Sequence, residues 1–120
     1  MSEKDSVSPE DNKKIRVLLV HQHTIVREGL RLLLEQCDSV TIVGEAETCE
    51  EAAEILSKAK VDIVLLDIDL RQLDSIDALS CLVSVSPHSR LLILTGVNDP
   101  ELCQRAIKVG ADGLFLKDQS

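Results

Sequence analysis

The sequence predicts a single α/β domain built on a parallel sheet with helices on both faces. Short apolar runs rich in Val, Ile and Leu alternate with longer segments that carry apolar residues at helical spacing. Strands that alternate with helices favour parallel pairing and a sheet covered on both sides. A length of 120 residues is enough for one hydrophobic core but not for two.

The first part of the chain predicts two strands separated by a helix. Ile15–Val20 is β-branched, leucine-rich and too short for a helix, which suits a strand buried on both faces. Residues 25–35 carry apolar positions at helical spacing, with charged residues on the other face. Val40–Val43 predicts the second strand, which Gly44 ends. The apolar positions of this helix are Val26, Leu30, Leu33 and Leu34, and the charged positions are Arg27, Glu28, Arg31 and Glu35.

A capping-box pattern marks the start of the second helix. The Thr48 hydroxyl is expected to accept a hydrogen bond from the third helical N–H, while Glu51 reaches back toward the cap. This helix should run to about Lys58. Val61–Leu66 then predicts the third strand, and residues 76–85 predict the third helix.

The last part of the chain predicts two further strands around a fourth helix. Arg90–Leu94 is the fourth strand, and Gly113–Leu116 is the fifth. Between them, Asp99 and Pro100 supply an N-cap and a favoured first helical residue, and Gly110 a stop. A further helix would normally cover the fifth strand. We expect a fragment that is truncated before this helix, in preference to a chain whose exposed face is covered by a partner.

The composition argues against several classes of function. A net charge of −8 disfavours binding to a phosphate backbone, which requires clustered Lys and Arg. One Phe, with no Tyr or Trp, leaves almost no aromatic surface on which bases could stack. Four widely spaced cysteines without a C-x-x-C pair are typical of reduced thiols in a cytoplasmic protein. No apolar run approaches the roughly 20 residues of a membrane span.

Residues 1–14 are expected to be a disordered tail that precedes a domain at residues 15–120. This tail is polar, carries charges of both signs and has no apolar region of the kind found in a signal peptide.

Polar residues follow the predicted strands where each strand ends. Asp67 follows the third strand, Thr95 follows the fourth, and Lys117 follows the fifth. Because the carboxyl ends of parallel strands meet at one edge of the sheet, these side chains should lie close together. A carboxylate, a hydroxyl and an ammonium group suit aspartyl-phosphate chemistry. The first strand, however, ends at His21 and Gln22, where that chemistry would use carboxylates to hold a metal.

The segment Ile15–Asp118 resembles the receiver domain of bacterial two-component response regulators. It is most similar to the subgroup whose receivers precede a LuxR/NarL-type helix-turn-helix. The resemblance rests on an ordered set of segments: IRVLLV, HxxVREGLRLLLE, VGEAE, VDIVLLD, LLILTG and GADGLFLKD. It implies a flavodoxin-like, CheY-like fold with five strands in the order 2-1-3-4-5.

The resemblance also implies a signalling role without enzymatic activity. The domain would belong to a cytoplasmic transcription regulator that forms a homodimer and responds to a histidine kinase or another regulatory protein. DNA would be bound only through a domain outside this chain, and no membrane contact is implied. Asp67 matches the phosphoacceptor, Thr95 the hydroxyl that bonds the phosphoryl oxygen, and Lys117 the ammonium group that pairs with the phosphoryl charge.

Three positions depart from the family pattern. His21 and Gln22 stand where two acidic residues hold Mg²⁺, and Leu114 stands where an aromatic side chain commonly moves with the hydroxyl. By strand alternation, Phe115 should face the opposite side. Mg²⁺ prefers carboxylate oxygens, so Asp67 alone should bind it weakly or not at all. We therefore expect a degenerate receiver, or pseudo-receiver, that uses no cofactor.

Two other functions are compatible with these residues. One is an ordinary receiver phosphorylated at Asp67 by a histidine kinase, with Asp69 recruited to the metal site. The other is a phosphatase of the haloacid-dehalogenase type, because Asp67-Ile68-Asp69 resembles its D-x-D motif and Thr95 and Lys117 its later motifs. That family, however, places D-x-D on its first strand.

His21 has three interpretations. It is an inconsequential loop residue, or it lies near Asp67 and, when protonated, replaces the charge of the metal. A neighbouring carboxylate would raise the pKa of the imidazole toward physiological pH. Alternatively, His21 and His23 join Asp67 and Asp69 in a site for Zn²⁺, Cu²⁺ or Ni²⁺.

Overall fold

The computed structural model describes residues 14–21 and 24–117. Within this part of the chain, five parallel strands form one sheet in the order β2-β1-β3-β4-β5, which confirms the predicted fold class. The tail predicted at residues 1–14 lies, apart from Lys14, outside the described residues. The strands are β1 (Ile15–Val20), β2 (Val40–Ala46), β3 (Ile63–Asp67), β4 (Arg90–Thr95) and β5 (Gly113–Leu116). The helices are α1 (Thr24–Glu35), α2 (Cys49–Lys58), α3 (Ser75–Val85) and α4 (Pro100–Lys108).

The main hydrophobic core lies between one face of the sheet and helices α2, α3 and α4. Alternate residues of β3 and β4 point into this core, as expected from the two-residue period of a strand. The helices contribute small or branched side chains that let them approach the sheet closely. Core residues of the two central strands are Val64, Leu66, Leu91 and Ile93, and those of the helices are Ala52, Leu56, Leu79, Leu82 and Ala106.

Helix α1 packs on the opposite face, against β1 and β2. The predicted buried face of this helix is only partly right. Arg27 and Arg31 turn toward Glu45 on β2, while Leu33 is 66% exposed and Val26 is also exposed. The side of α1 that carries Arg27 and Arg31 thus contacts β2 through ion pairs. An outward stripe of Ile25, Val26, Leu32 and Leu33 results.

The helix boundaries follow the predicted capping chemistry. Thr48 accepts a hydrogen bond from the backbone N–H of Glu51 at 3.1 Å, and the Glu51 carboxylate reaches back to the N–H of Glu47 at 3.1 Å. Asp99 accepts from two N–H groups in the first turn of α4. Gly110 follows α4 with a φ of 126°, and a Cβ there would meet Val83 at 2.9 Å. Only glycine suits that position, which explains why the helix stops there.

Strand β3 begins two residues later than the sequence predicts. Val61 is buried but precedes the strand, and Asp62, between Val61 and the strand, is hydrogen-bonded to Arg16 at the start of β1. The Asp62 carboxylate accepts from the backbone N–H of Arg16 at 2.8 Å and from its Nε at 3.2 Å. These hydrogen bonds, the backbone one foremost, lower the pKa of Asp62 below its usual value.

No helix in the described part of the chain has the length and apolar character needed to cross a membrane.

Candidate functional site

The register of the sheet brings His21 and Asp67 together at its carboxyl edge. Val20 on β1 pairs with Leu66 on β3, and the next residue on each strand is a candidate site residue. His21 is buried, and its Nε2 lies 2.8 Å from Oδ2 of Asp67. The two side chains are only 6% and 9% exposed, so this contact is shielded from water. The structure therefore rules out a surface-loop role for His21; its protonation state stays a prediction.

Lys117 completes the polar contacts around Asp67. Its Nζ donates to Oδ1 at 2.8 Å and to Oδ2 at 2.9 Å, so that it bridges both carboxylate oxygens. The Lys117 side chain is 44% exposed and closes the site from the solvent side. Lys117 and His21 together provide each oxygen of Asp67 with a nitrogen donor.

Thr95 lies at the same edge but is engaged elsewhere. Its carbonyl accepts from the backbone N–H of Lys117 at 2.8 Å, which fixes the end of β5 beside the site. Its fully buried hydroxyl accepts from the backbone N–H of Val97 at 3.1 Å. The hydroxyl therefore shapes the turn after β4, and among the described residues no hydrogen bond joins it to Asp67.

The backbone of His21 is held by α1 and β2. Its N–H donates to the carbonyl of Ala46 at 2.9 Å, and its carbonyl accepts from Nη1 of Arg27 at 2.7 Å. Arg27 is positioned in turn by Glu45, with Nε 3.2 Å from Oε1. Arg27 and Glu45 are thus positioning residues that the sequence analysis missed. Their charges are visible in the sequence, but a contact 18 positions apart has no local signal.

The remaining predicted positions are placed as follows. Leu114 packs against the main core, and Phe115 is exposed on the opposite face of β5, as strand alternation requires. Gln22 lies outside the described residues.

Asp69 is committed to a neighbouring arginine. Its carboxylate accepts from Nε and Nη2 of Arg71 at 3.0 and 2.9 Å and from the Arg71 backbone N–H at 2.9 Å. The side-chain hydrogen bonds, followed by the backbone one, hold the pKa of Asp69 below its usual value. A general acid in a phosphatase needs the opposite shift. The D-x-D segment also follows the third strand rather than the first.

The donor set fits Mg²⁺ poorly. Mg²⁺ requires several oxygen ligands at near-octahedral geometry. In residues 14–21 and 24–117, no group of three or more His, Cys, Asp or Glu side chains is arranged to hold a metal ion. His23, the remaining member of the possible Zn²⁺ set, lies outside the described residues.

Comparisons with known proteins agree on one family. The model of the response regulator receiver domain matches residues 17–120. The transcriptional regulatory protein YdfI of Bacillus subtilis is 36% identical over 105 residues, which cover 88% of this chain and 49% of that protein. The nitrate/nitrite response regulator protein NarL of Escherichia coli K12 is 31% identical over 102 residues, or 85% and 47%. The chain thus spans about half the length of these relatives.

A solved structure gives the same picture in three dimensions. The signal receiver domain of the putative response regulator NarL from Mycobacterium tuberculosis superposes with a TM-score of 0.78 at 30% identity. The match covers 90% of this chain and 87% of that one.

Proposed function

The chain belongs to the response regulator receiver domain family, and from this premise we propose that it is an atypical receiver controlled without Mg²⁺-dependent phosphorylation of Asp67. The observation that carries the proposal is the environment of the Asp67 carboxylate. Lys117 Nζ lies 2.8 Å from Oδ1 and 2.9 Å from Oδ2, and His21 Nε2 lies 2.8 Å from Oδ2. An imidazole thus occupies the place next to the acceptor where the family has an acidic residue.

The charges around Asp67 disfavour the binding of Mg²⁺. In the usual family pattern, three carboxylates and one lysine surround the metal, so that a divalent cation brings the site to neutrality. Here Asp67 is the only carboxylate of that set, because His21 and Gln22 replace the acidic pair. The Lys117 ammonium group already balances its charge at 2.8 Å. Bringing in Mg²⁺ would leave excess positive charge at a shielded position, which is unfavourable.

Without a bound metal, phosphoryl transfer to Asp67 should be slow. Phosphoryl transfer depends on positioning and on neutralising the charge of the phosphoryl oxygens, which is the task of the metal. Without Mg²⁺, Lys117 is the only permanent cation beside Asp67 among the described residues. A phosphoryl group arriving at Asp67 would also displace His21 or Lys117 from a carboxylate oxygen. We therefore expect slow transfer even from a reactive donor.

The movement that normally follows phosphorylation in this family lacks its aromatic side chain here. The Thr95 hydroxyl accepts from the Val97 N–H and is thereby held in the turn after β4. Leu114 has no aromatic ring to move with it. The exposed Phe115 lies on the other face of β5, and it cannot take over that role.

We further propose the wider role that the relatives suggest. YdfI and NarL are named as a transcriptional regulatory protein and a response regulator, and this chain covers about half of each. The domain would therefore regulate transcription through a DNA-binding domain outside this sequence, without enzymatic activity. Homodimerisation is part of the proposal, and the outward apolar stripe of α1 supports it.

Incubation of the purified domain with acetyl phosphate and Mg²⁺ tests the proposal. We expect Asp67 to remain essentially unlabelled, as measured by intact mass. The receiver domain of a relative that keeps the acidic pair serves as the positive control. Stoichiometric, hydroxylamine-labile labelling that is lost in Asp67→Asn would identify an ordinary phosphoacceptor and overturn the proposal.

A titration of His21 tests the charge relation inside the site. The imidazole donates to a shielded carboxylate, which favours its protonated form. We expect the NMR titration midpoint of His21 to move to lower pH in Asp67→Asn. The exposed His88 supplies the internal control, and its midpoint should not change. Identical His21 midpoints in both proteins would show that the contact carries no charge coupling.

A further inference from the structure

A cavity of about 540 Å³ opens beside Asp67, between the start of α2 and helix α3. Its volume falls in the range of roughly 300–1,000 Å³ that is typical of sites for small organic ligands. The inner wall is apolar and comes from the sheet and from both helices. This wall is formed by Val20, Leu66, Ala53, Ala78 and the thiol-bearing Cys49 and Cys81.

The polar groups around the cavity are acidic. Five carboxylates line it, and no Lys, Arg or His does so among the described residues. Asp67 and Asp69 already have cationic partners, and Glu47 lies 3.9 Å from Arg27. The other two, Glu50 on α2 and Asp74 at the start of α3, have no hydrogen bond or ion pair to their carboxylates within the described chain.

Asp74 does not make the capping hydrogen bond that its position would allow. It occupies the N-cap position of α3, where an aspartate usually accepts from the first-turn N–H groups, yet its side chain makes no such bond. Asp74 lines the cavity together with Glu50 from the opposite helix, and both residues are exposed at its mouth. A cavity with an apolar inner wall and two carboxylates without a protein partner at its mouth is complementary to a ligand with an apolar body and a positive charge.

We propose that this cavity binds a small organic cation, a primary amine or amidine on an apolar body, as an input to the domain. The inference rests on the proposed function, because it supplies a signal for a receiver that does not use phosphate. The ammonium group would pair with Glu50 and Asp74, and the apolar part would lie against Ala53 and Ala78. A ligand that bridges α2 and α3 next to Asp67 would favour the relative position of these helices that lets it contact both, and such a preference is what a regulatory input requires.

The cysteines provide a direct test on the unmodified chain. Burial, and secondarily the neighbouring Cys81, raises the pKa of the Cys49 thiol, so the exposed Cys81 is the reporter for alkylation by iodoacetamide. The probe is 4-phenylbutylamine, with 4-phenylbutanol and 4-phenylbutanoate as neutral and anionic analogues. With the amine at ten times its Kd, mass action predicts roughly tenfold slower alkylation of Cys81. The exposed Cys37 lies outside the cavity and should react at an unchanged rate.

Paired variants separate a specific site from general acidity. Glu50→Gln/Asp74→Asn should weaken amine binding by roughly tenfold or more, measured by ¹H–¹⁵N chemical-shift titration. Glu54→Gln/Asp77→Asn makes the same changes on the same two helices at residues that do not line the cavity. This control should bind the amine as the wild type does.

Several outcomes would overturn the inference. Equal binding of the amine and the alcohol would reduce the cavity to an apolar surface without charge selectivity. Equal loss in both double variants would assign the effect to net charge, and the absence of Cys81 protection would remove the site. Phosphorylation of Asp67 by acetyl phosphate would instead refute the proposed function, and it is measured independently of amine binding.

Discussion

The double variant His21→Asp/Gln22→Asp is expected to regain Mg²⁺-dependent phosphorylation at Asp67. The change supplies a carboxylate at position 21, beside the acceptor, and a second at position 22 of the sequence, and it removes the imidazole that now contacts Oδ2 at 2.8 Å. Since even the outer-shell partners of metal ligands change affinity or activity by roughly 10–100-fold, restoring two direct ligands should raise labelling by acetyl phosphate at least about tenfold over the wild type. Intact mass with and without Mg²⁺ measures the gain.

A single variant controls for the loss of the imidazole. His21→Asn also frees the Asp67 oxygen from His21 but adds no carboxylate, so it should stay unlabelled. Circular dichroism of each variant checks that the fold is kept. If the double variant folds but binds Mg²⁺ no better than the wild type does, the absence of the acidic pair does not explain the weak binding of Mg²⁺.

The largest expected effect on stability is that of Leu79→Ala. Leu79 on α3 is fully buried in the main core, and its truncation should cost about 2–5 kcal/mol through lost transfer free energy and an unfilled cavity. Such a loss is a large part of the roughly 5–15 kcal/mol that stabilises a typical domain. Urea denaturation followed by circular dichroism measures the free energy of unfolding.

Leu73→Ala is the matched control for this loss. Leu73 precedes α3 and is fully exposed, so the same change should alter the free energy of unfolding by less than about 0.5 kcal/mol. Similar costs for the two variants would show that α3 does not pack on the sheet as described.

The strands and the edge that carries the site could be predicted because they depend on local patterns. Apolar runs of strand length fixed the sheet, and the rule that parallel strands end at one edge placed Asp67 and Lys117 together. The register of β1 and β3 then determines that His21 lies against Asp67. Capping residues such as Thr48 and Asp99 carried their own local signal, and the structure uses both as caps.

Features set by distant contacts could not be predicted. The side of α1 that faces β2 carries Arg27 and Arg31, which pair with Glu45, a residue far from Arg27 in the sequence. Helical spacing alone favoured burying Leu33 instead. The cavity depends in the same way on how α2 and α3 meet, and neither helix reveals it alone.

We propose that the inherited phosphate site persists as a polar contact of Asp67 with His21 and Lys117 rather than as a metal-dependent switch. Beryllofluoride with Mg²⁺, a stable mimic of the phosphoryl group, tests it at equilibrium. In ¹H–¹⁵N spectra of the full chain, we expect no saturable shifts at Asp67, Thr95 or Lys117. Saturable, Mg²⁺-dependent shifts centred on those three residues would contradict the claim.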